Sequence, residues 1–241
     1  MQEPVPTSAP PDRRALAWRS LVQFGVFMLA AALMLFGLAG RLDWRGGWAF
    51  LGLLTLVLGI NLPVLLRHNP EIVLERGRTR ILRKDTKAFD RVFIAIYLPA
   101  AVSVLVVAAL DAGRDPAREL PFAALAAGVA LQLLGDVPIL GAMVVNRHLE
   151  PTVRIQSDRG HRVITGGPYR YVRHPMYVGM LAMYAAWPLV LGSRWAFLPA
   201  GIVAAMLLVR TALEDATLQA ELPGYAEYAG RTRFRLLPGV W

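Results

Sequence analysis

The chain has 241 residues, of which 56% are hydrophobic and only 18% charged, and it carries a formal net charge of +9. A soluble domain keeps about a quarter of its residues charged, so this composition, with a mean hydropathy of +0.44, argues against an ordinary soluble fold. There is no cysteine, which excludes disulfides, thiolate metal sites and a cysteine nucleophile.

The first 17 residues begin MQEPVPTSAPPDRR, polar and Pro-rich, and read as a disordered cytoplasmic tail. Apolar runs follow. Residues 21–40, 46–66 and 92–110 hold no Asp, Glu, Lys or Arg, and 120–145 is interrupted only by Asp136. Each run approaches the roughly 20 residues that cross a bilayer core, so spans are expected at 18–40, 46–66, 92–110 and 120–145. The first run is too long for a signal-peptide core, lacks a small-residue cleavage site and is followed by more spans. A last apolar stretch, 176–209, is interrupted by Trp187–Pro188 and by GSRW at 192–195. Its halves read as two antiparallel helices or a short helical hairpin, with Pro188 kinking the first. The expectation is an all-α polytopic membrane protein of about six transmembrane helices. It divides into the tail 1–17, a four-helix region 18–145 with a loop at 67–91, and a region 146–241 comprising a loop, two helices and a tail.

The basic residues lie in the gaps between spans and alternate in density. Arg13, Arg14 and Arg19 precede the first span. Arg67, Arg76, Arg78, Arg80, Arg83, Lys84, Lys87 and Arg91 fill the second gap. Arg147, Arg154, Arg159, Arg162, Arg170 and Arg173 follow the fourth span, whereas the other gaps hold only Arg41, Arg45, Arg114 and Arg118. This is the positive-inside pattern with both termini cytoplasmic. Topology and anionic lipid account for the charge, and no nucleic-acid partner is expected. The 67–91 loop reads as an interfacial helix with its cations at phosphate level. After span four, TVRIQ (152–156) looks extended, SDRGH (157–161) turn-like, and RVITGGPY returns the chain to the membrane.

GGPYRYVRHPMYVG, residues 166–179, carries the densest chemistry. The residue before a proline is pushed towards extended backbone, and proline suits the first helical position. His174 therefore sits just outside a helix that opens at Pro175. Free N–H groups at such an opening, with Arg173 and His174 beside them, suit an anion. Tyr177, Met180, Leu181 and Tyr184 share a helix face, and Gly179 permits close approach of a helix or a flat ligand. Positive-inside anchoring with an interfacial tyrosine belt explains the arginines and tyrosines of this stretch. It leaves His174–Pro175 and Gly166–Gly167–Pro168 unexplained. Further on, RTALED (210–215) puts Arg210 and Glu214 one turn apart, a pattern that alone would read as a surface ion pair. Asp136 is either functional or the satisfier of backbone groups freed by Pro138. The four histidines have no HxxxH spacing, and no metal is expected.

Together, GGPYRYVRHPMYVG, LGS and RTALED…LPGYAEYAGRTRFRLLPGVW resemble the isoprenylcysteine carboxyl methyltransferase and phospholipid methyltransferase superfamily, and more narrowly the bacterial isoprenylcysteine carboxyl methyltransferase-like proteins. The resemblance covers about 146–241, and NPEIVLERGR at 69–78 is a weaker match. It implies an integral membrane enzyme of a bacterial inner membrane that uses S-adenosylmethionine without a Rossmann domain. It also implies one cofactor wall of Gly167, Pro168, Tyr169, Arg173, His174, Pro175, Tyr177 and Gly179, closed by Glu214, Tyr225 and Tyr228. Arg210 would orient the acceptor, and Glu214 would serve as base where the acceptor must lose a proton. Asp215 stands where the family usually has Glu. The acceptor, a carboxylate, amine or hydroxyl on a lipid-like or isoprenoid molecule, would come sideways from the bilayer. Two other readings remain open: an NADPH-dependent membrane reductase of a steroid or lipid enone, and a non-catalytic membrane protein. Such reductases share the Arg-His-Pro-x-Tyr element, but where they carry Asn and an acid this chain has Met176 and Met180.

Overall fold

The structure, a computed structural model, describes residues 12–77, 86–115 and 120–241. Among them are eight α-helices and no strand: α1 (Arg13–Ala39), α2 (Arg45–His68), α3 (Pro70–Gly77), α4 (Ala88–Arg114), α5 (Phe122–Val145), α6 (Pro175–Leu191), α7 (Phe197–Glu221) and α8 (Tyr225–Arg231). The all-α expectation holds. By length and composition α1, α2, α4, α5 and α7 can cross a membrane, and α6 is a shorter apolar helix. Most of the 1–17 tail lies outside the described residues, as do Arg78, Arg80, Arg83, Lys84 and Arg118. Residues 13–17 of that expected tail are helical, because Asp12 caps α1 by accepting from the amides of Arg14 (2.9 Å) and Ala15 (3.4 Å).

Large apolar side chains such as Val26, Leu33, Leu134, Val137 and Val209 stay exposed along the long helices. A water-facing surface of this kind would aggregate, whereas hydrocarbon accepts it without cost. Between the helices, Leu35, Phe50, Val104, Val203 and Leu207 form the dry core.

The tightest junction joins α5 to α6. A Cβ added to Gly179 would meet the Gly135 carbonyl oxygen and Ile139 at once, and one added to Gly128 would lie 2.8 Å from Leu189. Missing side chains let the two backbones touch, which is how helices associate where apolar burial no longer drives them together. Gly179, expected in the cofactor wall, is therefore spent on this crossing. Asp136 lies on α5 beside it and accepts from Asn61 of α2 at 3.0 Å.

With 17 residues, α6 spans about 25 Å, short of a core of about 30 Å. Its last carbonyls consequently need partners inside the protein. The Trp44 indole donates to Leu191 at 3.2 Å, the Leu120 amide donates to Gly192 at 3.0 Å, and Gly192 turns the chain in the left-handed region at φ 74°. Beyond the turn α7 runs unbroken through RTALED to Glu221, so the helical continuation expected after 209 is present. These lengths bring the start of α6, the end of α7, α8 and the 146–164 loop to one end of the bundle.

Candidate functional site

The site begins where the helix opening was expected. His174 is the N-cap of α6 and Pro175 its first residue. Before them, Gly167 takes φ 58° and starts a single 3-10 turn, Gly167–Arg170. That turn packs on the end of α5, where Gly167 meets Val145 and Pro168 meets Gly141. The C-terminal tail lies alongside, with the amides of Arg173 and His174 donating to the carbonyls of Phe234 and Arg235, each at 2.9 Å.

Asp215 is the hub of this assembly and is fully buried. Arg173 grips it with two bonds, Nε to Oδ1 at 2.7 Å and Nη2 to Oδ2 at 2.9 Å, the bidentate geometry that makes such pairs strong. Tyr225 (3.0 Å), Gln219 (2.8 Å), Arg235 (2.9 Å) and His174 Nε2 (3.2 Å) complete the ring. Arg173 Nη1 also donates to the carbonyls of Thr232 and Arg233, both at 2.8 Å. Burial opposes the charge of Arg173, but its bonds to Asp215 outweigh that and hold the guanidinium above its ordinary pKa. The anion expected beside Arg173 and His174 is thus one the protein supplies itself. The one-methylene departure at Asp215 has a local meaning: the short acid withdraws into a cage of donors and does not line the cavity.

That cavity, of about 80 Å³, lies between the 146–164 loop, the start of α6, the end of α7 and α8. Tyr169, Arg173, His174, Tyr177, Arg210, Glu214, Tyr225 and Tyr228, among the residues expected at the site, line it together. Gly167, Pro168, Pro175 and Gly179 do not, because their roles are the turn, the helix start and the crossing with α5. Burial raises the phenols of Tyr169 and Tyr225, helped at Tyr225 by Asp215, and it pushes Tyr228 up to about 12. These tyrosines therefore present neutral hydroxyls and ring faces. Tyr228 donates to the Tyr169 carbonyl at 2.7 Å, and Asn146 donates to the Tyr169 hydroxyl at 2.9 Å.

At the membrane end of the cavity, Tyr177 donates to Glu214 Oε2 at 2.5 Å. Glu214 is half-buried, and no cation lies within ion-pair distance of it among the described residues. Arg210, one helical turn before it, was expected to be free for an acceptor. Instead its Nε lies 2.9 Å from Asp90 Oδ1, its Nη2 donates to the Pro151 carbonyl at 2.7 Å, and its guanidinium covers Phe93 at 4.5 Å. Asp90 is fully buried and also accepts from the Val153 amide at 2.7 Å, which pins the 146–164 loop to α4. Nothing among the described residues bonds Arg210 Nη1.

Two more residues went unread in the sequence. Arg76, taken with the cations held at phosphate level, turns inward from α3 to Met176 Sδ and the Leu149 carbonyl, each at 3.3 Å. His148 is buried in the cavity wall against His161, with ring centres 4.7 Å apart. An acid at the start of a span with an arginine one helical turn before Glu214 was a visible hint of the Asp90 pair. Nothing local marked His148.

A second cavity opens sideways between α4 and α7. It is an apolar groove of about 570 Å³ lined by residues including Phe89, Phe93, Ile202, Ala205, Met206 and Arg210. Arg210 belongs to both walls, so the greasy groove and the polar cavity share one residue.

Residues 123–222 match the family model for phospholipid methyltransferase, a stretch that runs from α5 to just past the end of α7. No curated protein matches the chain. The match sets aside the reductase and non-catalytic readings. Residues 123–222 are a phospholipid methyltransferase family domain, within the superfamily that also holds the isoprenylcysteine carboxyl methyltransferases, and the chain is an S-adenosylmethionine-dependent membrane methyltransferase.

Proposed function

We propose that this enzyme methylates the amine or hydroxyl head of a lipid-like acceptor, which reaches the polar cavity through the groove between α4 and α7. The observation that carries the reading is the shared wall at Arg210: a molecule with an apolar tail in the groove would have its head beside Arg210, Tyr177 and Glu214. When bound, the cofactor supplies an electrophilic methyl group on a sulfonium, and such transfers depend chiefly on positioning and exclusion of water.

The residues of the cavity suit that cofactor. Ring faces of Tyr169, Tyr225 and Tyr228 tolerate a sulfonium and stack on a purine, and Glu214 offers a negative charge to an ammonium group. His174 and Tyr177 belong to the same wall. Arg173 acts at one remove, by holding Asp215 and with it the junction of loop, α7 and tail. At about 80 Å³ the cavity is smaller than the 300–1,000 Å³ or so of most ligand sites. Widening falls to the 146–164 loop, the wall without a long helix.

Two facts favour an acceptor that must lose a proton over a carboxylate. Arg210, the natural partner of a carboxylate, already faces Asp90. Among the described residues Glu214 has only the Tyr177 hydroxyl on it, and it stands ready as a base. A carboxylate acceptor would have to rely on Arg210 Nη1. The arginine and lysine distribution supports an orientation with both termini and the cavity on the cytoplasmic side of a bacterial inner membrane.

The test is methyl transfer from labelled S-adenosylmethionine into a total membrane lipid extract, by protein in nanodiscs. Label should enter an amine- or hydroxyl-bearing amphiphile, and Glu214→Gln should lower turnover by about 10²- to 10⁴-fold. Unchanged turnover in Glu214→Gln would point to a carboxylate acceptor, and no label in any lipid would reject a lipid acceptor.

A further inference from the structure

We infer that His148 reads the nucleoside end of the cofactor, through a lone pair on Nε2 that accepts a hydrogen bond from a neutral N–H or O–H of the adenosyl group. The inference rests on the cavity being the cofactor site.

The hydrogen-bond network assigns the tautomer. Gln156 Nε2 donates to the His148 carbonyl at 2.6 Å, and Gln156 Oε1 accepts from Arg159 Nη1 at 3.2 Å. Arginine has no acceptor, so Oε1 is the oxygen of that amide. His148 Nδ1 lies 3.4 Å from the same oxygen and must carry the proton it donates there. Nε2 is then a bare acceptor. It is buried and has no partner among the described residues, and His148, only 5% exposed, lines the cavity. Buried polar atoms in folded proteins are nearly always paired, so an unpaired acceptor on a residue that lines a ligand cavity leaves a place for a donor brought by the ligand.

The surroundings narrow that donor. Burial, together with the positive charges of Arg147, Arg159 and Arg162, lowers the basicity of His148 and keeps the ring neutral. The same cations disfavour an ammonium group here. The one acid nearby, Glu150, is engaged by Arg154 and Arg159. At the opposite end Glu214 stands without a cation among the described residues, and that end suits the charged amino-acid portion. The nearby walls are apolar and aromatic, with Leu149, Val163, Ile164 and Tyr169 suited to a flat heterocycle. The neutral donors of the ligand are its exocyclic amine and ribose hydroxyls.

Binding of S-adenosylhomocysteine to the full chain in nanodiscs, followed by calorimetry, tests this without turnover. His148→Phe keeps an aromatic ring against His161 and removes the acceptor, and it should weaken binding about tenfold. The loss should vanish against one analogue of a series lacking in turn the 6-amino, 2′-hydroxyl or 3′-hydroxyl group. His148→Gln, which restores an acceptor oxygen, should recover part of the affinity. Wild-type affinity in His148→Phe would overturn the inference and assign Nε2 to a trapped water. An equal loss against every analogue would overturn it in favour of a packing role. Failure of the wild-type chain to bind S-adenosylhomocysteine would overturn both the inference and the cavity assignment.

Discussion

The start and the body of α6 are secured by opposite means. Its start is bound by charge: Arg173, His174 and Arg235 converge on the fully buried Asp215. Its middle is bound by absence, because Gly179 and Gly135 offer no side chains and the backbones touch. The contrast follows the surroundings. At the polar end of the bundle, ion pairs give a unique geometry, and the buried carboxylate survives because donors surround it. Within hydrocarbon, an unmatched polar group is costly and apolar burial brings helices together no more than lipid would, so close packing does the work.

Breaking the charged end should have the largest effect. Asp215→Ala strands Arg173, His174 and Arg235 together, and losing one partner of a buried pair costs about 3–5 kcal/mol. Thermal unfolding in detergent should show a loss on that scale, with S-adenosylhomocysteine binding lost as well. The Asp90–Arg210 pair sharpens the point. Arg210→Ala leaves Asp90 buried and unpaired and should destabilise by a similar amount, whereas Asp90→Ala/Arg210→Ala should recover much of it. A double variant as unstable as the sum of the two singles would mean that the pair is not coupled.

The packed crossing should respond more mildly and in another way. Gly179→Ala forces a methyl into the Gly135 carbonyl and Ile139, an overpacking worth about 1–3 kcal/mol. Its unfolding midpoint should fall by the same amount at pH 5 and pH 8, because no titratable group is involved.

The last and most gradual effect belongs to pH. Burial first, and His148 second, pull the His161 pKa from 6.5 down to about 4. The folded state therefore keeps His161 neutral, while the unfolded chain binds a proton below about 6.5. The contribution of this histidine to stability should be complete above pH 6.5 and decline as pH falls towards 4. His161→Asn should flatten that decline, and an identical decline in the variant would place the titration elsewhere.

What could be read from the sequence was local. The His174–Pro175 helix start, the continuation of α7 through Glu214 and the long apolar spans each depend on neighbours within a few residues. The Asp215 ring was only half visible. Asp215 was singled out in the sequence for its short reach, but its partners come from three separate segments, and nothing in RTALED announces them. Asp90 and Arg210 are 120 residues apart and meet only once α4 and α7 pack. Gly179 read equally well as a site for a helix or a flat ligand, and the choice required knowing what faced it. His148 acquires its meaning from a side-chain amide eight residues on, whose orientation depends on the fold of the loop.

On the proposed route the acceptor arrives through the α4–α7 groove and meets the cavity at Arg210. Ala205 lines that groove, is exposed, and lies apart from the cavity residues. The most direct measurement is turnover of membrane lipid by Ala205→Trp in nanodiscs, with S-adenosylhomocysteine affinity recorded on the same preparation. Entry through the groove requires methyl transfer to be lost while affinity for the cofactor product stays unchanged. Wild-type turnover with the groove plugged would contradict it.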